Sequence, residues 1–283
     1  MSSQGYPQNP VEYIQHHLQN LNLHNLFPAD AAHEAAHDPG FWTLNLDTLF
    51  FAWLTAGLLM YVAYRVGQNL SLDKPGGLQN FLESIYEFVD GQIKGMFPGH
   101  NPLIGPLSFT IFIWVFLMNA MDLVPVDLLP WLAAGVGIDY LKVVPTTDLG
   151  TTFALALSVY ALVIYYSIKI KGPLGYLKTF LFHPFGKYLI PFNILMTTIE
   201  EVAKPISLSL RLFGNMFAGE LLFLLLALLT AFAGVLWLTM PAQVALASIW
   251  AIYHILVITL QAFIFMLLTI VYLGLAHMGA DEH

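Results

Sequence analysis

The sequence predicts an all-α, polytopic integral membrane protein with about five transmembrane helices, one amphipathic surface helix and a long tilted helical hairpin at the C-terminal end. Three observations predict it. Hydrophobic residues make up 58% of the chain and charged residues 10%, against about 45–50% and 25% in soluble domains. Apolar stretches of bilayer-spanning length recur along most of the 283 residues, so lipid is the solvent this chain is composed for. From Pro191 to Ala276 only one short break interrupts the apolar sequence, which implies two very long helices.

Residues 1–42 form a polar N-terminal segment without Lys or Arg. A secretory signal needs a basic start and an early apolar run, and neither is present. The five histidines there (His16, His17, His24, His33 and His37) are too scattered to suggest a metal site and read as solvated surface. Residues 43–283 read as a single membrane domain.

Its first span covers about 46–66 and ends near Arg65. The stretch 78–96 places Glu83, Glu87, Asp90 and Lys94 on one stripe, with Phe81, Leu82, Ile85, Phe88, Val89 and Ile93 filling the rest. That pattern suits a helix lying on the membrane surface, because four charges cannot all be hidden in hydrocarbon without partners. A second span at 107–123 leads into an acidic loop holding Asp122, Asp127, Asp139 and Asp148, with Lys142 its only cation. The third span, 149–168, ends at Lys169 and Lys171.

The hairpin arms follow at about 192–233 and 241–276, with LWLTMP (236–241) read as the turn. Residues 244–275 contain no proline, and a helix of that length is about 48 Å long against a hydrocarbon core of about 30 Å. Such arms must tilt strongly or bend. Of ten Lys and Arg, eight fall on one side of this map, Lys142 on the other, and Arg211 within a span. The bias makes the basic side cytoplasmic, places residues 1–42 and the acidic loop outside, and puts the C-terminus inside.

On the first arm, Glu200, Lys204, Ser207, Arg211 and Asn215 are spaced four, three, four and four, which stacks them on one helix face. Gly214 and Ala218 lie on or near that face and allow another helix to approach closely. Glu220, nine residues past Arg211, faces elsewhere. On the second arm, His254 and Gln261 are seven apart and share a face. In an antiparallel hairpin, Arg211 with Gln261 and Glu220 with His254 have index sums that agree within two residues. Two layers result, one with a carboxylate and an imidazole, the other with a guanidinium and an amide.

This chemistry suits proton movement. Glu and His exchange protons near neutral pH when their surroundings shift them, whereas Arg stays charged and can only hold a neighbouring carboxylate ionised. A mid-membrane charge costs about 2.5–3.5 kcal/mol to insert, so Arg211 and Glu220 are read as functional. Gln261 taken alone reads equally well as a helix-to-helix hydrogen-bonding partner. Glu200 and Glu201 fit either a cytoplasmic channel entrance or first-turn acids complementing a helix dipole. Asp122 and Asp127 fit either an outer cation funnel or a solvated loop.

The runs PISLSLRLFGNMFAGELL (205–222) and HILVITLQAFIFMLLTIVYL (254–273) resemble subunit a of the bacterial F-type ATP synthases, as do IFIWVFLMNAMDLVPVDLLP from Ile111, VVPTTD from Val143 and YSIKIKG from Tyr166. The resemblance spans nearly the whole chain, and the His-rich N-terminal segment is its poorest part. It implies a non-catalytic stator subunit of the bacterial inner membrane. Its expected partners are a rotating ring of c subunits, the peripheral-stalk b subunits, the rest of the synthase and membrane lipid, with no nucleic acid and no cofactor. It also implies that Arg211 separates two offset aqueous half-channels, and that Asn215, Glu220, His254 and Gln261 line or border the outer one.

Two other classes compete. A secondary transporter would show paired repeats and broken helices about a midplane site, and no internal repeat is visible. A respiratory proton-pump subunit would show Lys–Glu chains within spans or paired haem-ligand histidines. No nucleotide loop, metal cluster or nucleophile triad marks an enzyme.

Overall fold

The structure, a computed structural model, describes residues 45–71, 74–97, 99, 101–124, 128–129, 141–182, 189–231 and 236–278, together with Ile14 and Leu18. Almost all of residues 1–42, with their histidines, and Asp127 and Asp139 of the acidic loop therefore lie outside the described residues. Among the described residues six helices have defined bounds: α1 (Leu46–Gln68), α2 (Gly77–Met96), α3 (Ile104–Ala120), α4 (Leu149–Phe182), α5 (Ile190–Ala231) and α6 (Leu236–His277). Short 3₁₀ turns follow α3 (Met121–Leu123) and precede α4 (Pro145–Thr147), and no strand occurs among the described residues. All of these helices except α2 are long and apolar enough to cross a membrane, α3 when taken with the turn that continues it to Leu123, so the predicted fold class stands. Large apolar side chains such as Trp53 (70%), Met60 (69%) and Ile252 (71%) are widely exposed, as expected where lipid and not water faces the helix.

α2 departs from the spanning helices as its sequence predicts. Glu83, Glu87 and Lys94 are exposed while Val89 is fully buried. Lys94 pairs with Asp90 one turn back, and that hydrogen bond pushes the Lys94 ammonium above its ordinary range. An exposed pair of this kind adds little to stability.

Two boundaries differ from the sequence reading. α4 continues to Phe182, but at Gly172 the backbone turns to φ 71°, ψ 161° before Pro173. Glycine tolerates that positive φ, and proline at the first position of the next segment starts a helix readily. The expected span end near 168 thus corresponds to a break at Gly172, followed by a short second helical piece. LWLTMP is not a turn: it opens α6, with Pro241 inside the helix. A membrane helix tolerates this proline because its freed carbonyl can be satisfied by neighbouring groups.

The described chain divides into two compact units, one of Met1–Gly57, Leu117–Thr151 and Gly214–Thr259 (the first), the other of Leu58–Phe116, Thr152–Phe213 and Leu260–His283 (the second). In the first unit, Asp148 caps α4 by accepting from the Thr151 amide and hydroxyl, both at 3.0 Å, and receives the Asn45 side-chain amide at 3.1 Å. A capping carboxylate here satisfies an otherwise orphaned helix donor. In the second unit, Val115, Ala156, Leu208, Leu212, Met266 and Ile270 form the apolar interior. Its C-terminal end is fastened by His277, whose Nδ1 donates to the Leu273 carbonyl and whose Nε2 accepts from the Asn101 amide at 3.1 Å. The ring packs between Phe97 and Tyr166.

Candidate functional site

In the second unit, α5 turns Leu208, Ser209 and Leu212 inward and leaves Ser207, Leu210 and Arg211 exposed. The Ser209 hydroxyl meets that of Thr152 at 3.1 Å, fixing α5 against α4. Gln261 of α6 is buried and donates its amide to the Arg211 carbonyl. The predicted Arg211–Gln261 layer therefore exists as a contact to backbone, which leaves the guanidinium free to point outward. No carboxylate among the described residues pairs with it. Further along α5, within the first unit, Gly214, Asn215 and Ala218 are exposed as well.

Glu200 and Glu201 belong to the same unit as Arg211, and both lie well inside α5. The first-turn dipole reading is thereby corrected, since the helix begins at Ile190, three turns earlier. Both carboxylates pair with Lys204, at 3.4 and 2.7 Å, and Tyr160 donates to Glu201 at 3.1 Å. Glu200 is the open one of the two, its side chain 67% exposed against 21% for Glu201.

The first unit holds the other layer. Glu220 and His254 are both buried, but each meets its own counter-group. His254 Nε2 lies 2.6 Å from Asp122 Oδ2, and Glu220 Oε2 lies 3.6 Å from the Lys142 ammonium. Neither contact is an aligned hydrogen bond, since all three acceptor or ring atoms lack a hydrogen-bond partner. Asp122 is also close enough to repel Glu220 electrostatically. Asp122 is 4% exposed, so its reading as a solvated loop residue is corrected.

His254 is boxed in. Phe223 meets the ring edge-on at 5.3 Å and Trp250 stacks on it at 6.0 Å. Gly219 also faces the ring, and a Cβ there would stand 2.2 Å from the imidazole Cε1. The residues that face each other, Gly219 with His254 and Phe223 with Trp250, have the antiparallel register expected from the sequence within one position. Glycine is required at 219 by close approach and not by backbone conformation.

Among the described residues, buried side-chain polar atoms without a hydrogen-bond partner are concentrated here. All but Ser108 Oγ belong to the first unit: Asn119, Asp122, Thr146, Glu220, Trp250 and His254 supply them. Such atoms are costly in a dry interior and mark a place where water is needed. No group of three or more His, Asp or Glu residues placed to hold a metal ion occurs among the described residues.

Sequence reasoning missed Asn119 and Lys142. The signal for Lys142 was present, because it is the sole cation of an acidic loop, but loop charges are ordinarily solvated. Nothing in the sequence separates Asn119 from an ordinary helix-end polar residue.

Comparison with known proteins covers the same part of the chain. Residues 49–274 match the family described as ATP synthase A chain. The chain is 51% identical to ATP synthase subunit a 1 of Methylococcus capsulatus over 266 residues, covering 94% of each protein. It is also 51% identical to ATP synthase subunit a of Shewanella oneidensis over 278 residues, covering 98% of this chain and 99% of the relative. The matched region overlaps every spanning helix and includes Arg211, Glu220, His254 and Gln261, and the chain belongs to the ATP synthase A chain family.

Proposed function

We propose that this chain is the non-catalytic stator subunit that conducts protons in a bacterial ATP synthase, with ATP chemistry left to partner subunits. Protons enter an outer half-channel through the buried polar cluster of Asn119, Asp122, Glu220 and His254 and pass to a carboxylate on a rotating ring of c subunits. They leave through a second, offset half-channel near Glu200 and Glu201. Arg211, with Asn215 beside it, faces the ring and keeps a passing carboxylate ionised, so no proton crosses without rotation. The peripheral-stalk b subunits hold the chain still.

The observation that carries this reading is the burial of Asp122, Lys142, Glu220 and His254 in one unit, with buried polar atoms of Asn119, Thr146 and Trp250 left without a hydrogen-bond partner. A structural interior would pair them, whereas a hydrated proton path would not. Every described Lys and Arg except Lys142 belongs to the second unit, which supports a cytoplasmic position for that end in the bacterial inner membrane. The C-terminus is then cytoplasmic and residues 1–42 lie outside.

Passive proton flux through vesicles carrying the complex tests the outer path. Glu220→Gln keeps the shape and removes the titrating group, so flux should fall by about tenfold or more with assembly intact. Unchanged flux in both Glu220→Gln and His254→Ala would show that the path has been assigned to the wrong residues.

A further inference from the structure

Lys142 has no role in the pathway above, yet it is the most confined cation among the described residues. It is 5% exposed. Its backbone amide donates to Asp47 Oδ2 at 3.0 Å, while the other Asp47 oxygen accepts from the Thr48 amide at 2.8 Å at the start of α1. Its ammonium donates to the Thr147 carbonyl at 3.2 Å and lies 5.7 Å from the Phe217 ring centre. The main chain and the side-chain tip are therefore both clamped, and the tip is held 3.6 Å from Glu220 Oε2.

A lysine that only neutralised a buried carboxylate would be expected to close to hydrogen-bond distance. Here the ammonium donates to the Thr147 carbonyl and stays 3.6 Å from Glu220 Oε2, beyond ordinary hydrogen-bond distance. A cation is thus fixed beside the buried carboxylate without occupying the position where a proton would land. A second charged group acting on Glu220 is Asp122, from the turn after α3, which is itself in contact with His254 of α6. The Thr147 side chain also faces Glu220.

We propose that Lys142 is a positioning residue for Glu220: clamped by Asp47 and Thr147, its ammonium sets the pH range over which Glu220 exchanges protons. The inference rests on the reading of Glu220 as a proton-exchanging group. It gives the sole cation of the acidic loop a function in the pathway and makes Asp47, on α1, part of the same device.

The test is passive proton flux through vesicles bearing the whole complex, measured from about pH 5.5 to 9, for Lys142→Met, Lys142→Arg and Glu220→Gln. Removing the cation should move the flux profile of Lys142→Met to higher pH by about one unit or more, because a carboxylate beside no cation binds its proton more tightly. Lys142→Arg keeps the charge and should hold the profile near that of the wild type. Combining Lys142→Met with Glu220→Gln should produce no shift beyond that of Glu220→Gln. If Lys142→Met alone fails to assemble, the double variant should recover assembly, since it leaves no unpaired buried carboxylate at 220.

An unshifted profile in assembled Lys142→Met overturns the proposal, as does a shift that persists in the Glu220→Gln background or a double variant that still fails to assemble. The Glu220 reading fails separately. Wild-type flux in Glu220→Gln removes the pathway itself, whereas impaired Glu220→Gln beside an unshifted Lys142→Met removes only the role of the lysine.

Discussion

Arg211→Ala should abolish ATP-driven proton pumping while the complex still assembles, as followed by acidification of inverted vesicles and by co-purification of the partner subunits. Assembly should survive because the Arg211 side chain is exposed and pairs with no carboxylate among the described residues. A fixed cation about 4 Å from a carboxylate is worth roughly 4 kcal/mol at an effective dielectric near 20. That is about a thousandfold in proton affinity, so a ring carboxylate that keeps its proton past position 211 should leave at most about 1% of the coupled flux. Arg211→Lys should fail nearly as badly, because an ammonium is a compact charge with a shifting pKa and a different donor geometry from a guanidinium. Near-normal pumping with Lys would mean that charge alone suffices.

Gly219→Ala should have the second largest effect, out of proportion to the single carbon added. The new Cβ would occupy the space of the His254 imidazole, which Phe223 and Trp250 prevent from sliding aside. Overpacking of this kind costs about 1–3 kcal/mol. The ring must therefore leave its contact with Asp122, and proton flux should fall by about tenfold or more. Thermal unfolding of the purified complex and passive flux together check this. Wild-type values of both would show that His254 has more room than its neighbours allow.

The helices were legible in the sequence because length and hydropathy follow from bilayer thickness and little else. The hairpin register was legible too, since two antiparallel helices fix their facing residues once a single pair is identified, and Arg211 with Gln261 supplied it. Glycine and proline were legible only in part. Gly172 and Pro173 stop a helix as their chemistry predicts, whereas Pro241 does not stop α6, because neighbouring groups in a membrane protein can satisfy the backbone carbonyl that a proline frees.

The candidate site was half legible. Arg211, Glu220, His254 and Gln261 stand out because ionisable and amide groups are rare and costly in hydrocarbon. Their partners did not, since Lys142 and Asp122 reach the site from segments that the sequence presents as an ordinary acidic loop. The expected pairing of Glu220 with His254 was drawn from the two arms alone. The structure gives each of them a counter-charge from outside the hairpin, and only the fold of those segments could reveal it.

The division of labour between Arg211 and Glu220 is tested most directly by passive proton flux through vesicles with Arg211→Ala, compared with the same vesicles carrying Glu220→Gln in addition. If Arg211 is a barrier to unrotated protons and Glu220 lies on the path, the single variant should conduct at or above the wild-type rate although it cannot pump. The double variant should then conduct about tenfold less or lower still. Equal flux in the two variants would contradict the account, because protons would then be crossing by a route that does not include Glu220.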